Sequence, residues 1–146
     1  MDITSTGDVR IVIQDPPMAS NAPAPALGIN GLHVHSGDLY FTNSELGTFT
    51  RMRLNIQGRR VSQAGATQVL GVVQPSGGEY DDFVIDHKGR AWVTTHPATL
   101  TLLYETDNGT WAQETAAGDA EGNSTVFIQP TSAAFGRRSL AEEDIL

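Results

Sequence analysis

The chain repeats itself. Residues 31–55 (GLHVHSGDLYFTNSELGTFTRMRLN) and 83–107 (FVIDHKGRAWVTTHPATLTLLYETD) follow one plan of short apolar runs and turns. Each opens on a short apolar strand and reaches a glycine turn, at Gly37 or Gly89. A second strand follows at 39–42 or 91–94, then a loop, then a third strand at 49–54 or 100–104. A polar turn, Gln57-Gly58 or Asp107-Asn108-Gly109, leads to a fourth strand at 67–73 or 110–114. The two turn glycines stand 52 positions apart, the length of one four-stranded propeller blade. Glycine and asparagine at the turns supply the positive φ that tight hairpins need. Leu39-Tyr40-Phe41 is a continuous apolar run, as expected of a strand covered on both faces.

The repeat predicts an all-β fold, a partial β-propeller. A single domain spans 1–146, with complete four-stranded blades at 28–78 and 79–124 and partial blades at 8–18 and 125–146. Residues 8–13 (DVRIVI) read as the outer strand of a preceding blade, and 125–136 (TVFIQPTSAAFG) as the start of the next. Residues 140–144 suit one helical turn, and Arg137-Arg138 a solvated turn. A closed propeller needs at least about four blades, roughly 200 residues at this blade size, so the chain is expected not to close alone. Open edges and apolar blade faces invite self-association or a partner half-propeller.

Charge narrows the partners. Seventeen acidic against nine basic residues give a net charge of -8, which repels phosphate backbones and anionic bilayers. Neither nucleic acid nor a membrane is an expected partner. With no cysteine, disulfides, thiolate metal sites and a cysteine nucleophile are excluded. No apolar run reaches the length of a membrane span. Residues 1–5 (MDITS) lack the charged start and apolar core of a signal peptide, so a cytoplasmic location is the default and the compartment stays open. Asn108-Gly109-Thr110 and Asn123-Ser124-Thr125 fit the glycosylation triplet, which is common by chance. Ser5, Ser20 and Ser132 lack the Gly-x-Ser-x-Gly setting of a serine hydrolase.

Four ordered segments carry a family likeness: 28–32 (GINGL), 39–44 (LYFTNS), 80–86 (YDDFVID) with Gly89, and 130–136 (PTSAAFG). Together they resemble the gluconolactonase and senescence-marker-protein family of six-bladed propellers, nearest its fungal calcium-dependent phosphotriesterase-like branch. The likeness runs over 8–146 and corresponds to the second half of a full member. It implies a small organic substrate and a divalent metal in the central channel, held by a Glu, two Asn and an Asp. Asn30 matches the Asn of the family's Asn-Gly-Leu motif, and Asp81 matches the Asp ligand that also serves there as catalytic base. The other two ligands belong to blades this chain lacks, so Ca²⁺ or another divalent ion is expected to bind only weakly.

The residues themselves allow blander roles. Asn30-Gly31 is a common turn pair. Asp82 competes with Asp81, and two adjacent carboxylates facing one cavity would raise one pKa, so one of them is expected to face inward and the other to cap a turn. Asn43 and His96 end the second strands and are candidates for the channel mouth. His33 and His35 share a strand face, a spacing that can chelate zinc, but no third ligand is evident. Tyr40, Phe41, Trp92 and Phe135 read as core between blades.

The resemblance implies a metal-assisted lactone or ester hydrolase of fungal secondary metabolism, with Asp81 as base. The alternative it also implies is a hetero-Diels–Alder cyclase that shapes a reactive intermediate without metal chemistry. The third reading is a non-catalytic truncated propeller or interaction module.

Overall fold

The fold is built from eleven short strands, with no α-helix among the described residues. The computed structural model describes residues 2–3, 6–23, 26–58, 60–74, 78–119 and 121–136. Strands β1 (Asp2–Ile3) and β2 (Val9–Arg10) pair with each other, and a 3₁₀ turn follows at Pro16–Met18. The first blade holds β3 (Ile29–His35), β4 (Asp38–Asn43), β5 (Thr48–Gln57), β6 (Arg60–Gln63) and β7 (Gln68–Val72). The second holds β8 (Glu79–Ile85), β9 (Ala91–His96), β10 (Thr99–Glu105) and β11 (Trp111–Gly118). Each blade is an antiparallel meander, in the order β3-β4-β5-β7 and β8-β9-β10-β11. The all-β reading and the two four-stranded sheets of partial-propeller type are therefore present.

Three elements differ from the expected pattern. The first blade carries an extra hairpin: β5 runs on to Gln57 and β6 folds back on it, with Gln57 opposite Arg60 and Leu54 opposite Gln63. Gly58, at φ +60, opens that turn. The strand expected over 8–13 is confined to Val9–Arg10, because its partner β1 is two residues long. Residues 121–136 form turns, bends and irregular backbone without a strand. The helical turn expected at 140–144 and the Arg137-Arg138 turn lie outside the described residues.

The blades stack face to face. Every residue of β4 is buried, as a strand covered on both sides requires. Tyr40 and Phe49 of the first blade meet Phe83, Val93 and Leu103 of the second in one apolar cluster. The Phe49 and Phe83 rings cross edge to face with centroids 5.0 Å apart, a favoured aromatic geometry. Where β7 faces the second blade, Gly71 lies against the tip of Leu103 on β10, where a Cβ would collide. A polar strap crosses the seam near the outer strands. The buried Tyr80 hydroxyl donates to Gln113 Oε1 at 2.5 Å, and Gln113 Nε2 donates to the Val72 carbonyl at 2.9 Å. Burial pushes the pKa of that hydroxyl up, so it stays a donor.

Candidate functional site

The innermost strands β3 and β8 each carry a bulge at the same place. In β3 the register shifts between Ile29 and Leu32, and in β8 between Tyr80 and Phe83. Ile29 stands opposite Asn43 and Tyr80 opposite Thr95, so Asn30 and Asp81 are the first bulged residues of adjacent blades. Bulges aim side chains away from the regular alternation and are frequent beside functional sites. The strand ends facing them are equivalent too: Ser44 in one blade and His96 in the other, 52 positions apart.

These pairs interact. Asn30 Nδ2 donates to Ser44 Oγ at 3.1 Å, and Ser44 Oγ donates to the Tyr80 carbonyl at 2.8 Å. In the next blade, His96 Nε2 lies 3.3 Å from Asp81 Oδ2, and His96 Nδ1 lies 3.9 Å from Glu79 Oε2. The imidazole thus sits between two carboxylates. Its Nε2 is shielded from solvent and makes no aligned hydrogen bond, so the Asp81 contact is a close approach rather than a directed bond.

Asp81 and Asp82 are separated by the bulge. Asp82 turns toward the first blade, where its Oδ1 lies 3.0 Å from His33 Nε2. The His33 ring also packs edge-on against Phe83, with centroids 4.6 Å apart. His35 sits further along β3 beside Tyr40. The carbonyls that the second bulge leaves unpaired are taken up by side chains: Thr42 Oγ1 donates to Asp81 O at 2.7 Å and Thr94 Oγ1 to Asp82 O at 2.8 Å. Thr42 Oγ1 also accepts from Gly31 N at 2.8 Å.

Asn43 has a different place. It is fully buried and laces the N-terminal segment to the sheet, donating to the carbonyls of Pro17 and Ala19 and accepting from Leu46 N. Its amide is thereby occupied by backbone, while Asn30 and His96 stand at the bulges. Ser44, Glu79, Thr42 and Thr94 also belong to the site and were not singled out from the sequence. The 52-residue spacing of Ser44 from His96, equal to that of the turn glycines, is the one signal that could have found the first of them.

Of the residues expected to hold a divalent ion, Asn30 Oδ1 and the Asp81 carboxylate supply oxygen, against the roughly six to eight oxygens that Ca²⁺ takes. Among the described residues, no group of three or more His, Asp or Glu is placed to hold a metal ion.

The innermost strands of the two blades are in close contact at Gly31. A Cβ there would lie 2.7 Å from Asp82 Oδ1 and 2.9 Å from both Asp82 Cα and Phe83 Cδ1. Gly31→Ala is therefore expected to force β3 and β8 apart and to break the His33–Asp82 contact. Amide exchange of β3 and β8 should quicken while that of β10 and β11 stays at its original rate. Unchanged exchange in β3 and β8 would show that the seam can widen freely.

No protein-family model matches the chain. A curated protein of Sarocladium schorii, named "Putative hetero-Diels-Alderase asR5", is 29% identical to it over 118 residues. The match takes in 76% of this chain and 28% of that protein, so the chain spans under a third of its relative's length. The comparisons offer nothing on a metal-assisted hydrolase.

Proposed function

We propose that the chain contributes two blades to a propeller protein that binds a small organic molecule and guides a hetero-Diels–Alder cyclisation. The likeness to the Sarocladium schorii protein carries this reading. In such a reaction a conjugated carbonyl, C=C–C=O, adds across an alkene. One C–C and one C–O bond form at the expense of π bonds, and no proton, electron or leaving group departs. The protein has two tasks: to hold both partners in a single geometry, and to donate a hydrogen bond to the carbonyl oxygen as it gains negative charge.

The bulge row suits the second task. The His96 imidazole is partly exposed and flanked by Asp81 and Glu79; its Nε2 is shielded beside Asp81, which leaves Nδ1 as the ring nitrogen to donate. The remaining Nδ2 hydrogen of Asn30 is a second donor one blade away, beyond its bond to Ser44. The expected experiment combines the protein with a quinone-methide precursor and a polyene and resolves the adducts by chiral chromatography. One stereoisomer should form faster than without protein, and a calcium chelator should leave the rate unchanged. His96→Ala should lower the rate by at least about tenfold, as loss of a carbonyl-stabilising donor does. A racemic adduct at the background rate would overturn the reading.

A further inference from the structure

The two faces of the first blade are covered differently. One face, around Tyr40 and Phe49, is buried on the second blade. The second blade meets it with Phe83, Ala91, Val93 and Leu103. The register equates these with Leu32, Leu39, Phe41 and Met52, on the other face of the first blade. There the set is divided. Leu39, Phe41 and Met52 are buried, and Ile13, Met18 and Leu54 of the same chain pack on them. Leu32 is 52% exposed, and Val34, on the same side of β3, is 61% exposed. The N-terminal segment therefore takes the ground on which another blade would stack, and leaves a space beside it.

That space is a cavity of about 760 Å³, within the usual size of small-molecule sites. Residues 11–13, the β5–β6 hairpin and the face that carries Leu32, Val34 and Leu39 all line it. Most of the lining is apolar. Its polar side chains are gathered on the hairpin: Asn55, Gln57, Arg60 and Ser62. Arg60 brings a positive charge, and no acidic side chain lines the cavity, although the chain holds seventeen acidic residues against nine basic ones. Among the described residues, no carboxylate pairs with the Arg60 guanidinium. An apolar cavity with one unpaired guanidinium at its polar end is complementary to an apolar tail that ends in a carboxylate. The planar fork of arginine matches a carboxylate in two parallel hydrogen bonds. The Asn55 and Gln57 amides and the Ser62 hydroxyl are further donors on the same hairpin.

We infer that this cavity binds a long-chain carboxylic acid, its tail along Leu32 and Val34 and its carboxylate at Arg60. The site is separate from the bulge row and does not rest on the cyclisation.

The test is titration calorimetry of the whole chain with octanoate, decanoate and laurate below their micelle thresholds, and with dodecanol as the uncharged probe. One molecule should bind per chain, with affinity rising about three- to fourfold for each added methylene. Leu32→Glu puts a carboxylate in the path of the tail at an exposed position, and should abolish binding of laurate and dodecanol in a chain that circular dichroism shows to be folded. Arg60→Gln should weaken laurate by up to about fivefold, the scale of an exposed ion pair, and leave dodecanol unchanged. No uptake of laurate overturns the inference. So does an affinity that stays flat along the series, Leu32→Glu without effect, or Arg60→Gln acting on both probes alike. An unaltered chain that takes up no laurate but sediments as an oligomer, which Leu32→Glu dissolves, overturns it too and gives this face to a second copy.

Discussion

Phe83→Ala is expected to cost about 3–5 kcal/mol, the range for truncating a buried aromatic ring. Phe83 is fully buried at the seam and contacts rings from both β3 and β5. The void cannot close easily, because the sheets are already in contact at Gly31 on one side of the ring. Lost dispersion and the residual cavity add to the lost transfer energy. Against a total stability of about 5–15 kcal/mol for a domain, this is a large share. A chemical denaturation curve measures it as a fall in midpoint at unchanged slope. Leu32→Ala supplies the control within the same molecule. It truncates the equivalent position of the first blade, but on a half-exposed side chain, and should cost less than about 1 kcal/mol at monomeric concentration. Equal costs at the two positions would mean that the seam is not where the core energy lies.

That contrast also shows why part of the fold is legible in the sequence and part is not. Turn glycines and continuous apolar runs are local, and they place β4, β5, β9 and β10 nearly where they stand. The β6 hairpin is also local, but Arg60, Ser62 and Gln63 are polar and no apolar alternation marks them. What the sequence could not disclose is which face a strand turns outward. Leu32 and Phe83 look alike in a row of letters, and only the stacking separates them. The site is divided in the same way. Asn30 and Asp81 were readable as residues just ahead of equivalent strands. The 52-residue spacing of the turn glycines, however, misaligns the innermost strands by one. Leu32 pairs with Phe41, nine positions on, while Phe83 pairs with Val93, ten on, so the hairpin turn of the second blade is longer by one residue. Asn30 therefore corresponds to Asp81 at a separation of 51. Asn43 was legible only as the end of a strand. Its partners Pro17 and Ala19 lie 26 and 24 residues upstream, beyond any local pattern.

The longer turn is held by a buried carboxylate, and the second large effect is expected there. Asp86 Oδ1 accepts from Lys88 N and Arg90 N, both at 2.9 Å, and Oδ2 accepts from Arg90 Nε at 2.6 Å and Trp92 Nε1 at 3.2 Å. Burial by itself raises the pKa of this group, and it is the largest single influence. The hydrogen bonds from the Arg90 backbone, the Trp92 indole and the Arg90 guanidinium, with the charge of that guanidinium, together outweigh it and hold the pKa below the ordinary aspartate value. A depressed pKa means that the ionised form stabilises the fold. The contribution is fully present above the unfolded-state value near pH 4 and is lost as pH falls through the lower folded value. Asp86→Asn removes it at every pH while keeping the shape. The amide oxygen can still accept from the two backbone N–H groups, but the amide nitrogen then faces the Arg90 and Trp92 donors with no lone pair to offer. The expected cost at pH 7 is about 2–4 kcal/mol, the sum of lost charged hydrogen bonds and a stranded cation. Stability of the two proteins measured from pH 7 down to pH 2 should converge as Asp86 protonates, the unaltered chain losing more. A constant difference across that range would show that the carboxylate contributes shape and not charge.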